Sequence, residues 1–148
     1  MAAPWRMLQE AEEALAQAEE VSDHQSIGVR CREVLIGFIH VAQDSIELPN
    51  AATAPKRSDF RAWNELLANL LLPGETHQGR RGLMKSTAVE AWSFVNWLTH
   101  AKDSHIHDAE SAVAITNLTL SLYTTAVIRL LREVPDACPN CGSQRLSL

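Results

Sequence analysis

The residues best suited to chemistry lie close together, within residues 99–108 of the sequence. The polar side chains of this stretch that bear on chemistry are His100, Lys102, Asp103, His105, His107 and Asp108. Histidine titrates near neutral pH and can pass protons, and a lysine can hold a phosphate group. One interpretation of the stretch is therefore proton transfer at a phosphodiester.

Two other interpretations of the histidines remain open. The first is a metal site, since His105 and His107 are two residues apart and Asp103 and Asp108 could contribute oxygen ligands. No further pair of histidines or acids downstream completes a recognisable zinc pattern. The second is that the histidines only cap helix ends and line a polar turn.

The order of Lys102, Asp103 and His107 resembles the motif of the HEPN superfamily. In that family of small helical bundles, an arginine, a polar residue and, after a short spacer, a histidine lie where the last two long helices meet. The resemblance covers about residues 5–134. It implies a metal-independent ribonuclease or toxin component of a prokaryotic defence or toxin–antitoxin system.

The resemblance also implies roles for single residues. A 2′-hydroxyl attacks the adjacent phosphodiester, Lys102 binds the phosphate, Asp103 orients Lys102 or the ribose, and His107 is the acid/base. His100 or His105 assists or substitutes. Two such motifs usually face each other across a homodimer, and no cofactor is needed for the cleavage.

The sequence departs from the family at Lys102, where the family has arginine. Arginine presents a planar fork that can hold a phosphate with two hydrogen bonds, whereas lysine is a point charge. The departure favours an alternative function, in which an inactive HEPN-like bundle recognises a partner protein or a nucleic acid.

Cys138 and Cys141 are separated by two residues and followed by a glycine. The stretch resembles one knuckle of a zinc ribbon, in which two thiolates bind a tetrahedral zinc ion that needs four ligands. Three possibilities remain: a second knuckle beyond Leu148, one zinc shared by the tails of two subunits, or a metal-free tail. Cys31 and the histidines are further candidate ligands.

Charge is distributed unevenly along the chain, whose formal net charge is −5. Residues 1–23 hold six acidic residues and one arginine, whereas residues 56–85 hold six basic and three acidic residues. The overall acidity argues against broad nonspecific binding of nucleic acid but leaves room for a local phosphate-binding surface. Arg80 and Arg81 are its candidate binding residues, and an ordinary solvated surface is the alternative.

The sequence lacks the motifs of several classes of protein. There is no glycine-rich phosphate loop, nucleophile elbow or HExxH helix, so nucleotide-dependent catalysis is not expected. The acidic start does not resemble a signal peptide, and no uninterrupted apolar run reaches the roughly 18 residues of a membrane span. Three cysteines without a framework argue against a secreted disulfide scaffold. We expect a cytoplasmic protein that does not contact membranes.

Apolar residues repeat with helical spacing, which predicts an all-α bundle of four to five helices over residues 1–135, followed by the cysteine tail at 136–148. Trp92 and Trp97 lie off the main stripe of the fourth helix, and aromatics at such spacing usually serve packing. The main stripe of the fourth helix consists of Met84, Ala88, Ala91, Val95 and Leu98.

Polar residues at the helix boundaries predict the caps. Ser22 is the predicted cap of the second helix, with Gln25 completing a capping box. Ser58 or Asp59 is the predicted cap of the third helix, and Asp108 that of the fifth.

The fifth helix carries apolar residues almost all round, from Val113 to Leu131. Such a helix is either central in the bundle or covered by a partner. The pattern therefore predicts a homodimer.

Overall fold

The computed structural model of the 148-residue chain describes residues 2–46, 48 and 54–132. Over these residues the fold consists of five α-helices and a short 3-10 turn, with no β-strand. The elements are α1 (Ala2–Ala16), α2 (Val21–Ser45), α3 (Phe60–Leu71), the 3-10 turn (Glu75–His77), α4 (Gln78–His100) and α5 (Ile106–Leu131). The predicted all-α bundle is confirmed. The predicted tail at 136–148 lies outside the described residues.

The centre of the bundle is formed by α2, α4 and α5, each of which packs against the other two. α1 covers α2 and α5, and α3 packs mainly on α4. The predicted stripe of α4 is confirmed, because all five of its residues are buried. Alanines on the facing sides, Ala88 and Ala91 on α4 and Ala109 and Ala112 on α5, are fully buried in this core.

A buried polar network connects α3, α4 and α5. The Tyr123 hydroxyl donates to the main-chain oxygen of Asn64 at 3.1 Å and also to its side-chain oxygen. The Asn64 amide in turn donates to the main-chain oxygen of Lys85 at 3.1 Å. Burial raises the pKa of Tyr123 far above its usual value, so the hydroxyl stays protonated and acts as a donor.

The start of α2 differs from the predicted one. Glu20 is the cap, and Asp23, in the third position of the helix, accepts hydrogen bonds from the Glu19 and Glu20 N–H groups, both at 3.0 Å. The prediction that Ser22 caps this helix is wrong. The physical reason is that the aspartate satisfies the free N–H groups from inside the first turn, which leaves Ser22 no role as the cap.

The starts of α3 and α5 give one confirmed cap and one correction. Asp59 caps α3 as predicted, since its carboxylate accepts from the Ala62 N–H at 3.1 Å. His105, and not Asp108, is the cap of α5. Asp108 lies in the first turn and accepts from the His105 N–H at 2.8 Å. As with Ser22 in α2, a residue type that is typical of caps lies here inside the first turn.

α5 is long and apolar enough to cross a membrane, judged by length and composition only. Threonines and serines interrupt its apolar residues, so the sequence of α5 contains no uninterrupted apolar run of this length. A core helix of a soluble protein passes the same test, and 44% of the most apolar window of α5 is buried inside the bundle. The property by itself therefore assigns no location.

Candidate functional site

Residues 101–105 connect α4 to α5, and we call them the α4–α5 turn. The predicted site residues on this turn and on the helix ends beside it are all exposed: His100, Lys102, Asp103, His105 and His107. The structure thus brings them to one end of the bundle, where a large substrate has access. His105 is also the cap of α5, whereas the other four lie outside that cap.

His107 has a carboxylate partner that sequence reasoning missed. Its Nδ1 lies 3.3 Å from Oε2 of Glu110, and the His107 side chain is 85% exposed. A carboxylate at Nδ1 holds the imidazole in one orientation and leaves Nε2 directed toward solvent, as in acid/base pairs of hydrolases. The signal was present in the sequence, because residues three apart on a helix are neighbours.

The start of α2 holds the α4–α5 turn in place. The Gln25 side-chain amide donates to the main-chain oxygen of Ala101 at 2.8 Å. Nδ1 of His24 is hydrogen-bonded to the Ser104 hydroxyl at 3.1 Å, and both side chains are buried. Nε2 of His24 is buried without a hydrogen-bond partner. Gln25 therefore contacts Ala101 across the bundle and does not have its predicted capping role.

Gln25→Met is expected to destabilise the fold by about 1 kcal/mol, because it keeps the volume of the side chain but leaves the Ala101 carbonyl without its donor. The measurement is urea unfolding followed by circular dichroism. Gln43→Met is the matched control on α2, since Gln43 donates to Arg57 in an exposed position. An equal cost in the two variants would argue against the anchoring role of Gln25.

Arg80 and Arg81 lie far from the α4–α5 turn within one chain. α4 has 23 residues, and both arginines are in its first turn. At 1.5 Å per residue, roughly 30 Å separates them from Lys102. The Arg81 guanidinium is engaged by the main-chain oxygens of Leu72 and Gly74 at 2.7 and 2.8 Å. The two arginines thus belong to a different end of the bundle.

The cysteines divide into a buried one and a pair outside the described residues. Cys138 and Cys141 belong to the second group, so the zinc interpretation of the tail stays a prediction. Cys31 is fully buried in the core, and burial raises the pKa of its thiol to about 11. A metal ligand has to be a thiolate, so Cys31 is unsuited to complete that site. Within the described part of the chain, no group of three or more His, Cys, Asp or Glu residues is arranged to hold a metal ion.

The Cys31 thiol is expected to be unreactive in the folded protein, because it is inaccessible and protonated at neutral pH. In the double variant Cys138→Ser, Cys141→Ser, a thiol-specific chromogenic reagent should detect no thiol under native conditions and one in denaturant. Rapid reaction of the native double variant would contradict the burial of Cys31.

Several large apolar side chains are exposed on α4 and α5. They include Leu83, Trp97 and Leu118, each about half exposed. Leu83 and the half-buried Leu122 line the same cavity, which shows that the outer sides of the two helices adjoin. Trp92 behaves differently, since it stacks on Phe60 with ring centroids 4.5 Å apart. Packing accounts for Trp92. Trp97 contacts Phe94, with ring centroids 5.3 Å apart, and keeps about half of its surface exposed.

The chain matches no family model, no curated protein and no solved structure.

Proposed function

We propose that the chain is a HEPN-type, metal-independent endoribonuclease that acts at the α4–α5 turn. The observation that carries the proposal is the pair formed by His107 and Glu110, with 3.3 Å between Nδ1 and Oε2, exposed at the same end of the bundle as Lys102 and Asp103. Transesterification of RNA requires a group that can accept and donate a proton, together with a cation that stabilises the phosphoryl oxygens.

In the proposed reaction, the ribose 2′-hydroxyl attacks the adjacent phosphorus. His107 takes the hydroxyl proton at Nε2, while Glu110 holds the ring and balances the charge that develops on it. The new bond joins the 2′-oxygen to phosphorus, and the bond from phosphorus to the 5′-oxygen breaks. The leaving 5′-oxygen takes a proton from His107 of a second copy or from water. Lys102 stabilises the negative charge on the phosphoryl oxygens.

A homodimer is part of this proposal. α4 and α5 expose the apolar side chains of Leu83, Trp97 and Leu118, and exposed apolar surface favours association. Trp97 precedes the α4–α5 turn closely in sequence, so a second copy on this surface would lie beside the turn. A single copy contributes one basic side chain to the turn, Lys102, and a dimer would supply two.

The proposal is tested by incubating the purified protein with single-stranded and hairpin RNA in EDTA, and comparing it with two variants at Lys102. We expect Lys102→Ala to lose cleavage and Lys102→Arg to keep or increase it, because arginine restores the two-pronged phosphate contact. Lys56→Ala, which removes an exposed lysine elsewhere, is the control. Production of the parent chain in bacteria should slow growth, and Lys102→Ala should not. RNA that stays intact with all four proteins would overturn the proposal.

A second candidate function is that of a binding module for RNA. It is favoured by Lys102, which stands where the HEPN family has arginine, and by the exposed Trp97 near the α4–α5 turn. Aromatic rings of this kind can stack on unpaired bases. The module would leave RNA intact, yet retard it on a native gel, and Trp97→Ala would weaken the retardation. Intact RNA without retardation would exclude this candidate as well.

A further inference from the structure

A cavity of about 230 Å³ lies between the first turns of α4 and the second half of α5, at the end of α4 opposite to the α4–α5 turn. Its walls are mainly apolar and include Leu83, Met84 and Leu122, whereas Arg80 and Arg129 bring two guanidinium groups to it. No acidic residue is found among the described residues that line it. The cavity therefore has an apolar part and a cationic part.

A buried histidine, His77, lies beside the arginines of the cationic part. His77 is 3% exposed and is hydrogen-bonded through Nδ1 to the Arg80 guanidinium. Burial lowers the pKa of His77, and the positive charges of Arg80, Arg129 and Arg81 lower it further. His77 is thus neutral at physiological pH and adds no charge of either sign, so it orients Arg80 without neutralising it.

We propose that this cavity binds a small amphipathic anion, with a carboxylate head on Arg80 and Arg129 and a hydrocarbon body against Leu83, Met84 and Leu122. Guanidinium groups match the planar geometry of a carboxylate, and apolar walls favour a hydrocarbon. The volume is somewhat below the roughly 300 Å³ at which pockets for drug-sized ligands begin, which indicates a short ligand. The site lies at the opposite end of α4 from the α4–α5 turn and does not rest on RNA cleavage, but it shares Leu83 with the surface proposed for the dimer.

The test uses three probes on the full chain: octanoate, octanol and inorganic phosphate. Isothermal titration calorimetry should show binding of octanoate, and octanoate should raise the melting temperature. Octanol lacks the charge and phosphate lacks the hydrocarbon, so each should bind at least about tenfold more weakly than octanoate. Equal affinity for octanol would reduce the site to an apolar cavity, and equal affinity for phosphate would reduce it to an ion site; either result overturns the proposal.

Variants locate the site. Arg80→Gln and Arg129→Gln should each weaken octanoate binding by about tenfold, which corresponds to the loss of one charge-assisted hydrogen bond. Thr125→Phe, at an exposed lining residue, should block binding by filling the cavity. Arg6→Gln on α1 is the control. Unchanged affinity in the first three variants, or no octanoate binding by the parent, overturns the proposal. So does the finding that the arginine variants dissociate a dimer without any effect on octanoate, since the occupant would then be a second copy.

Discussion

Replacing His107 by alanine is expected to reduce RNA cleavage by roughly 10²–10⁴-fold, the range over which a positioned acid or base accelerates a proton transfer. The His107 side chain is 85% exposed and pairs with Glu110 one turn along α5, so the fold should be retained. The free energy of unfolding should change by less than about 0.5 kcal/mol. The measurements are initial cleavage rates on a defined RNA in EDTA, and urea unfolding of both proteins.

Two further variants distinguish a catalytic role of His107 from the effect of removing any histidine. Glu110→Gln preserves the size of the side chain and removes its charge, so cleavage should fall by a smaller factor than in His107→Ala. His40→Ala removes a half-buried histidine in α2 and should leave the rate unchanged. Full activity of His107→Ala, or an equal loss in His40→Ala, would show that another group carries the proton.

Gly28→Ala is expected to lower the free energy of unfolding by about 1–2 kcal/mol, although alanine is the better helix former. A Cβ atom at this position would lie 2.9 Å from the backbone nitrogen of Thr99 and 3.2 Å from the main-chain oxygen of Val95. Backbone atoms cannot rotate aside, so α2 and α4 would have to separate. The contact between α2 and the α4–α5 turn would weaken with them, and RNA cleavage should decrease too.

Gly37→Ala is the matched control on the same helix. Its Cβ would meet nothing closer than the Met7 sulfur at 3.7 Å, an ordinary contact. This variant should therefore gain about 0.5–1 kcal/mol from the helical preference of alanine. Urea unfolding of both variants provides the measurement. Stabilisation of both proteins would contradict the close approach of α2 and α4 at Gly28.

Much of the fold follows from local patterns in the sequence. The stripe of α4 repeats every three or four residues, so its buried face could be assigned without knowing its neighbours. Asp59 could be identified as a cap because its side chain acts within its own helix turn. The caps of α2 and α5 could not, because Glu20 and His105 are not typical cap residues, whereas Ser22 and Asp108, which are, lie inside the first turns.

The site is less predictable, since much of it depends on contacts between distant residues. The pairing of His107 with Glu110 is local to one helix and could have been found. The contacts of His24 and Gln25 with the α4–α5 turn join residues about 80 positions apart, and no local pattern encodes them. Likewise, the sequence groups Arg80 with other basic residues, whereas the fold places it beside Arg129 at a separate cavity.

Metal-independent attack by the ribose 2′-hydroxyl at the α4–α5 turn is tested most directly by the chemistry of the cleaved RNA ends. The parent protein is incubated in EDTA with an RNA of known cleavage position and with the same RNA carrying a single 2′-deoxynucleotide there. We expect a 2′,3′-cyclic phosphate and a 5′-hydroxyl at the cut, and no cut next to the 2′-deoxynucleotide. Ends that carry a 5′-phosphate, or cleavage that persists beside the 2′-deoxynucleotide, would contradict it.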